Sequence, residues 1–166
     1  MSKDKHMDDR NHNEKNVDLD AAMKLSNQLC FPLYAAARTV TGLYTPYLKE
    51  LGLTYTQYIV MLVLWEKDGV SVSEIGEKLM LDNGTLSPLL KKLENAGYIE
   101  RSRCREDDRV VEISLTKEGR ALKEKARKIP YQIAGCFDIP EEKAAQLYEL
   151  LYELLESRGY KKSELN

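Results

Sequence analysis

The sequence predicts a mainly α-helical chain with a small β-hairpin, and three observations predict it. Apolar residues recur at spacings of three and four through most of the chain beyond residue 18. Helix-opening residues stand in front of these runs, at Thr54, Ser71, Asp82 and Thr116. The period changes over residues 98–115, where polar and apolar residues alternate. With 166 residues, 43% of them hydrophobic, the chain suits one domain, or one domain with helical extensions.

Residues 1–17 have little apolar content and no periodicity, so a mobile leader is expected there, and a short tail at 161–166. From Asp20 to Leu51 the pattern is helical, carried by Leu25, Leu29, Leu33, Ala36, Ala37 and Val40. Pro32 and Pro46 interrupt it. A proline inside a helix removes the hydrogen bond to the carbonyl four residues back, so Pro32 should kink this helix or mark a fresh start just after Asn27 or Cys30. Thr54 with Gln57 and Ser71 with Glu74 read as capping boxes opening TYTQYIVMLVLWEK and SVSEIGEKLML. Asp82 precedes NGTLSPLLKKLENAG, which ends at Gly97, a good left-handed cap. Short helices joined this closely outline a helix-turn-helix.

YIERSRC and RVVEISL are then the strands of a hairpin, with the charged REDD as its turn. Thr116 opens KEGRALKEKARKI, which Pro130 helps to end, and Asp138-Ile139-Pro140-Glu141 opens the last helix. Ala144, Leu147, Leu151, Leu154 and Leu155 give that helix an apolar stripe. The stripe packs either on the chain's own core or on a second copy. A terminal helix set apart from the central unit has little core of its own to cover, which favours the second copy.

A helix-turn-helix followed by a two-stranded hairpin is the winged-helix outline, with the third helix of the unit in a DNA major groove and the hairpin beside it. The fold class expected is therefore a winged helix-turn-helix lobe at 54–115, with helical dimerisation regions at 18–53 and 116–160. Asn83, Thr85 and Ser87 fall where N–H groups and hydroxyls can meet phosphate or base edges, and Lys91 and Lys92 follow one turn later. Pro88 sits early enough in this helix for its distortion to be limited. The hairpin adds Arg101, Arg103, Arg105 and Arg109, and an arginine on a narrow β-tip can enter a minor groove. Between Lys91 and Arg109 six basic residues face five acidic ones, so charge alone leaves open a solvated hairpin with ordinary ion pairs. The net charge of −2 excludes coating of nucleic acid by bulk positive field, not a local basic surface.

No run approaches the roughly 18 apolar residues of a membrane span. The start is charged where a secretory signal would be greasy, so a cytoplasmic protein without membrane contact is expected. The only histidines, His6 and His12, lie in the leader, and there is no CxxC or HExxH, so no metal or cofactor is implied. Three widely spaced cysteines, Cys30, Cys104 and Cys136, do not form a disulfide framework. Cys30, among Leu29, Phe31 and Leu33, reads on residue physics as a small buried hydrophobe or as a reactive thiol.

The run DDRVVEISLTKEG resembles the wing signature of the MarR family of dimeric winged-helix repressors. That resemblance makes Arg109 a minor-groove contact and gives Asp107 and Asp108 a part in holding the wing. LCFPLYAAAR, YTPYLKELGLTYTQYIVMLVLWE and LDNGTLSPLLKKLENAGYIERSR are similar to the OhrR branch, the organic-hydroperoxide-responsive repressors, together over about residues 25–135. Pro32, just after the cysteine, and Asn83, where the branch usually has serine, depart from it. The resemblance implies a dimeric repressor of a pseudo-palindromic operator in double-stranded DNA, with an organic hydroperoxide as effector.

On the same resemblance Cys30 is the peroxide-sensing thiol, and the hydroxyls of Tyr44 and Tyr55 are its thiolate-stabilising donors. Cys136 matches, to within a few residues, the cysteine that resolves the oxidised sensor across the dimer; a small cellular thiol is the alternative. Cys104 has no redox role in this reading. Leu29, Phe31, Leu33 and Trp65 are expected to favour a hydrophobic peroxide by burying its tail. Three rivals remain: a MarR-type repressor relieved by a small aromatic ligand, a peroxidase using Cys30, and a winged helix that binds protein instead of DNA.

Overall fold

The computed structural model describes residues 18–103 and 109–160. The leader, the tail, Cys104, Arg105, Asp107 and Asp108 lie outside the described residues. The chain divides into two compact units, Met1–Val40 and Thr41–Asn166.

In the first unit the expected helix from Asp20 is broken. Helix α1 covers only Leu19–Ala22, capped by the Asp18 carboxylate, which accepts from the N–H groups of Asp20 and Ala21. It stops because the side-chain amides of Asn27 and Gln28 donate to the carbonyls of Ala21 and Ala22, satisfying groups a further turn would have used. A 3₁₀ turn at Leu25–Asn27 follows, and α2, Cys30–Leu43, starts at the cysteine. Pro32 is its third residue, where a missing N–H breaks no helical bond. Leu19, Met23, Leu25, Leu29 and Tyr34 are all exposed.

The second unit takes up the end of α2 and continues with α3, Thr45–Glu50, whose first turn holds Pro46. Helix α4, Tyr55–Glu66, opens on a complete capping box between Thr54 and Gln57 and buries Val60, Met61, Val63, Leu64 and Trp65. Strand β1, Val70–Ser71, leads into α5, Val72–Leu79. Only half of the second expected box forms: Ser71 accepts from the Glu74 N–H. The turn into α6, Asn83–Asn95, passes through Met80 at φ 54°, an unusual conformation for a residue with a side chain. Leu86, Leu90 and Leu93 bury the inner face of α6, and Gly97 at φ 75° closes it as expected.

Strands β2, Ile99–Arg103, and β3, Val111–Leu115, pair antiparallel from Ile99 opposite Leu115 to Arg103 opposite Val111. The sheet has three strands, ordered β1-β3-β2, not the two the alternation suggested. Two residues are too few to show a period, which is why β1 was not legible. Helix α7, Lys117–Ala126, ends before Pro130, and Pro130 opens a further helix, α8, Ile129–Ala134. That corrects the single helix expected there: a proline in a first turn starts helices as readily as it ends them. The core of the unit draws on Leu48, Leu51 and Leu53 before the lobe, and on Leu122, Ala126, Ile129 and Ile133 after it. Helix α9, Glu141–Glu156, buries none of its residues, and Leu147, Leu150, Leu151 and Leu154 are exposed. No helix of the described residues is long and apolar enough to cross a membrane.

Candidate DNA interface and thiol site

Helix α6 turns two rows of side chains outward. Asn83, Ser87 and Lys91 stack at intervals of four, with Thr85, Pro88 and Lys92 beside them, and all six are exposed while Leu86, Leu90 and Leu93 face the core. The N-cap Asp82 takes the Thr85 N–H on Oδ1 and the Thr85 hydroxyl on Oδ2, both at 2.9 Å. Those two bonds, the N–H first, hold the Asp82 carboxyl below its ordinary range. With its proton committed to Asp82, the Thr85 hydroxyl is left with acceptor capacity only.

The wing brings Arg109 beside α6. A groove of about 360 Å³ is lined by Ser73, Asn83, Ser87, Arg101, Arg109 and their neighbours, so two separately predicted segments share one surface. Arg103, at the end of β2, is exposed. Arg101 differs. It pairs with Ile113 on the inward face of the hairpin, donates from Nη2 to the Ser87 carbonyl at 3.2 Å, and lies 3.3 Å from Glu94. It therefore ties β2 to α6. Grouped in sequence with the other hairpin arginines, Arg101 is put on the inward face instead by its spacing of two from the buried Ile99.

The thiols stand in different settings. Cys30 is free, exposed and first in α2. The next three residues have no uncommitted backbone donor: Phe31 donates to the Gln28 carbonyl, Pro32 has no N–H, and Leu33 donates to the Leu29 carbonyl. Cys136, also free and exposed, follows α8 and directs its thiol to the Gln132 carbonyl at 3.2 Å.

In the second unit Tyr44 and Tyr55 meet edge to face, with ring centroids 5.1 Å apart. Tyr58 joins them, 5.9 Å from Tyr44. Burial raises the pKa of all three phenols, and in Tyr55 and Tyr58 the neighbouring rings add to it, so the hydroxyls stay protonated donors at neutral pH. Sequence reasoning missed Tyr58, although its spacing of three from Tyr55 on α4 puts both on one side of the helix. Trp65 is taken up by the core, its ring N–H donating to the Gly119 carbonyl at 2.9 Å. Among the described residues no group of three His, Cys, Asp or Glu could hold a metal.

The transcriptional regulator SarA/Rot family matches this chain over residues 42–126. The organic hydroperoxide resistance transcriptional regulator of Bacillus subtilis (strain 168) is 50% identical over 135 residues, 81% of this chain and 92% of that protein. A MarR-family regulator from Rhodococcus sp. RHA1 shares the fold at a TM-score of 0.70 and 25% identity, over 80% of this chain and 95% of that one. The chain belongs to the MarR/SarA winged-helix transcriptional regulators, in the OhrR-type branch. Reduced AbfR bound to DNA, a regulator of Staphylococcus epidermidis, has a TM-score of 0.69 and 35% identity over 84% of this chain and 96% of its own. Its disulfide-formed state has a TM-score of 0.59, again at 35% identity, over 84% and 95%.

As a MarR-type DNA-binding regulator the chain is not an enzyme, and a peroxidase role for Cys30 drops out. The Leu-Thr and Gly of its wing signature also acquire a physical reason. Thr116 donates its hydroxyl to the Gly97 carbonyl at 2.6 Å and caps α7 by accepting the Gly119 N–H. A Cβ on Gly119 would stand 2.0 Å from the Tyr98 carbonyl oxygen, so only glycine lets α7 approach the end of α6 this closely. Asp68, which the sequence pattern did not single out, accepts the Leu115 N–H at 2.8 Å and pairs with Arg120.

Proposed function

We propose that this regulator is a homodimeric repressor that senses organic hydroperoxides through Cys30 and releases a pseudo-palindromic operator on oxidation. The Cys30 thiolate attacks the peroxide oxygen, giving a sulfenic acid and releasing the alcohol. The thiol of Cys136 on the other subunit then displaces water, leaving a disulfide. Tyr44 and Tyr55 supply hydroxyl donors to the thiolate. Asn83, Thr85, Ser87, Pro88, Lys91 and Lys92 face the major groove, while Arg103, Arg105 and Arg109 carry the wing onto the backbone and minor groove, with Asp107 and Asp108 steadying its tip.

The observation that carries the reading is that two free, exposed thiols accompany a half-buried pair of tyrosines in edge-to-face contact, in a chain similar to AbfR, which exists both reduced on DNA and with a disulfide formed. A second copy would cover the apolar side chains left exposed on α1, α2 and α9. Two recognition helices must stand about 34 Å apart to enter successive major grooves, so a disulfide that tilts the lobes breaks the match. Shifting such an equilibrium from 99:1 to 1:99 takes about 5.5 kcal/mol, within reach of a covalent link.

The test is one equivalent of cumene hydroperoxide on the reduced protein, followed by intact mass and a non-reducing gel on wild type, Cys30→Ser and Cys136→Ser. A covalent dimer that needs both cysteines is expected. A sulfenic acid or small-thiol adduct on Cys30 alone would remove Cys136 from the mechanism. No reaction at Cys30 would favour a second reading, relief by a small aromatic anion. That reading has in its favour a cleft of about 190 Å³ where Tyr58, Leu62 and Trp65 face Lys123 and Arg127.

A further inference from the structure

The root of the wing is clasped to the far end of α4. Trp65 donates its ring N–H to the Gly119 carbonyl, and Lys123 donates from Nζ to the Trp65 carbonyl at 2.7 Å, so α4 and the first turns of α7 are joined in both directions. Asp68 completes the clasp from the loop after α4. Its Oδ1 accepts the Leu115 N–H, the last residue of β3, and its Oδ2 pairs with Arg120 on α7. Beyond Asp68 the chain runs directly into β1, which pairs Val70 with Ile113 on β3. Strand β3, paired on one side with β1 and on the other with β2, is thus tied at its root to the α4 side by one carboxylate, while its other end leads back through Val110 to Arg109.

A short strand fixed at its root acts as a lever, and a small rotation there displaces its far end by more. Asp68 is well placed to be the fixing residue for two reasons. Its carboxylate bonds the β3 backbone directly from the α4 side, and it does not line the groove that contains Arg109. As an anion it has no attraction for phosphate, and its removal takes away a negative charge and frees Arg120, so a loss of DNA binding in its absence is not a lost phosphate contact.

We propose that Asp68 is a positioning residue for operator binding: it sets the stance of the wing, and Arg109 reaches DNA only while the Asp68 clasp is closed. This rests on Arg109 being a DNA contact. The closing experiment keeps the two apart. The reduced full-length protein first selects a duplex from a random-sequence library. Affinity for that duplex is then measured for wild type, Asp68→Ala, Arg109→Ala and the double variant, with melting temperatures alongside.

Arg109→Ala is expected to weaken binding about tenfold in the wild-type background, and less than about twofold in Asp68→Ala, because the arginine is already displaced. A general loss of stability would not produce that non-additivity. A full tenfold effect in both backgrounds would overturn the role of Asp68 and leave Arg109 as a contact. No effect of Arg109→Ala in wild type would overturn the contact itself and the clasp with it. Should Asp68→Ala fail to fold, Asp68→Asn takes its place: it loses the charge facing Arg120 and leaves a weaker neutral acceptor for Leu115, so Arg109→Ala must cost measurably less in Asp68→Asn than in wild type, and an equal cost in both would overturn the role of Asp68.

Discussion

Gly119→Ala should unlock the root of the wing. The added methyl would stand 2.0 Å from the Tyr98 carbonyl oxygen, 3.0 Å from the Tyr98 carbonyl carbon and 3.3 Å from Leu115 Cδ2. The first two are backbone, so no side chain can rotate out of the way, and α7 must move by more than about 1 Å to restore an ordinary contact. Three bonds go with it: Trp65 to the Gly119 carbonyl, Thr116 N–H to the Tyr98 carbonyl, and the Thr116 hydroxyl to the Gly97 carbonyl. Overpacking of this kind costs about 1–3 kcal/mol. The lost hydrogen bonds across this contact add about 1 kcal/mol each, so the loss should reach about 3 kcal/mol or more, a large part of a typical folding free energy. A melting temperature lower by about 10 °C follows for a chain of this size. Circular dichroism reads the melt, and the emission of Trp65, the single tryptophan, reads the site itself. A variant that melts within about 2 °C of wild type would refute the close approach.

Tyr44→Phe and Tyr55→Phe should each slow peroxide oxidation of Cys30 by about tenfold, about 1.4 kcal/mol, the scale of a hydrogen bond to a charged group; thiol-loss kinetics at neutral pH measure it, and an unchanged rate would remove the donor role. Lys91→Ala and Lys92→Ala should each lower the slope of log affinity against log salt by about 0.9 for every phosphate the lysine neutralises, and identical slopes would place both lysines off the DNA. For Asp68 the sign of the acid dependence is fixed by its surroundings. Burial alone would raise its pKa, but the Leu115 N–H, Arg120 and the Gly69 N–H together hold it below the ordinary value. A carboxyl so depressed contributes stability above its unfolded-state pKa and loses it on protonation in the fold. The melting gap between wild type and Asp68→Asn should therefore be open at neutral pH and close as pH falls below about 4; a gap constant with pH would show that the charge contributes nothing.

The lobe was legible because its helices announce themselves locally. Thr54, Ser71, Asp82 and Thr116 each bond the N–H three residues on, at the starts the sequence predicted, and Gly97 ends α6. Local signals failed where ambiguous residues or distant partners decided. Pro130 could end one helix or begin the next, and the packing of Ile129 and Ile133 into the core selects the second. The Asp20–Leu51 run kept its apolar period through a break made by two amide side chains, Asn27 and Gln28, reaching back to α1. In the site, spacing alone placed Asn83, Ser87 and Lys91 in one row. It could not reveal Asp68, whose partner Leu115 is 47 residues away.

The chemistry of Cys30 shows the same division between local and distant causes. A cysteine opening a helix would ordinarily meet unpaired N–H groups from the first turn, a ready source of donors for an anion. Here that source is closed: Phe31 and Leu33 have committed their N–H groups to Gln28 and Leu29, and Pro32 has none. Pro32 thus withholds one first-turn donor at the start of α2, and on the proposed function a thiolate at Cys30 would draw on donors from outside its own turn. Phenols suit that need because, unlike a lysine, they add no charge, and they are protonated at neutral pH even before burial raises the pKa of Tyr44 and Tyr55 further. Restoring one first-turn donor should then relax the dependence: in a Pro32→Ala background, Tyr44→Phe and Tyr55→Phe should slow oxidation less than they do in wild type, and an undiminished effect would show that Pro32 does not govern how the thiolate is held.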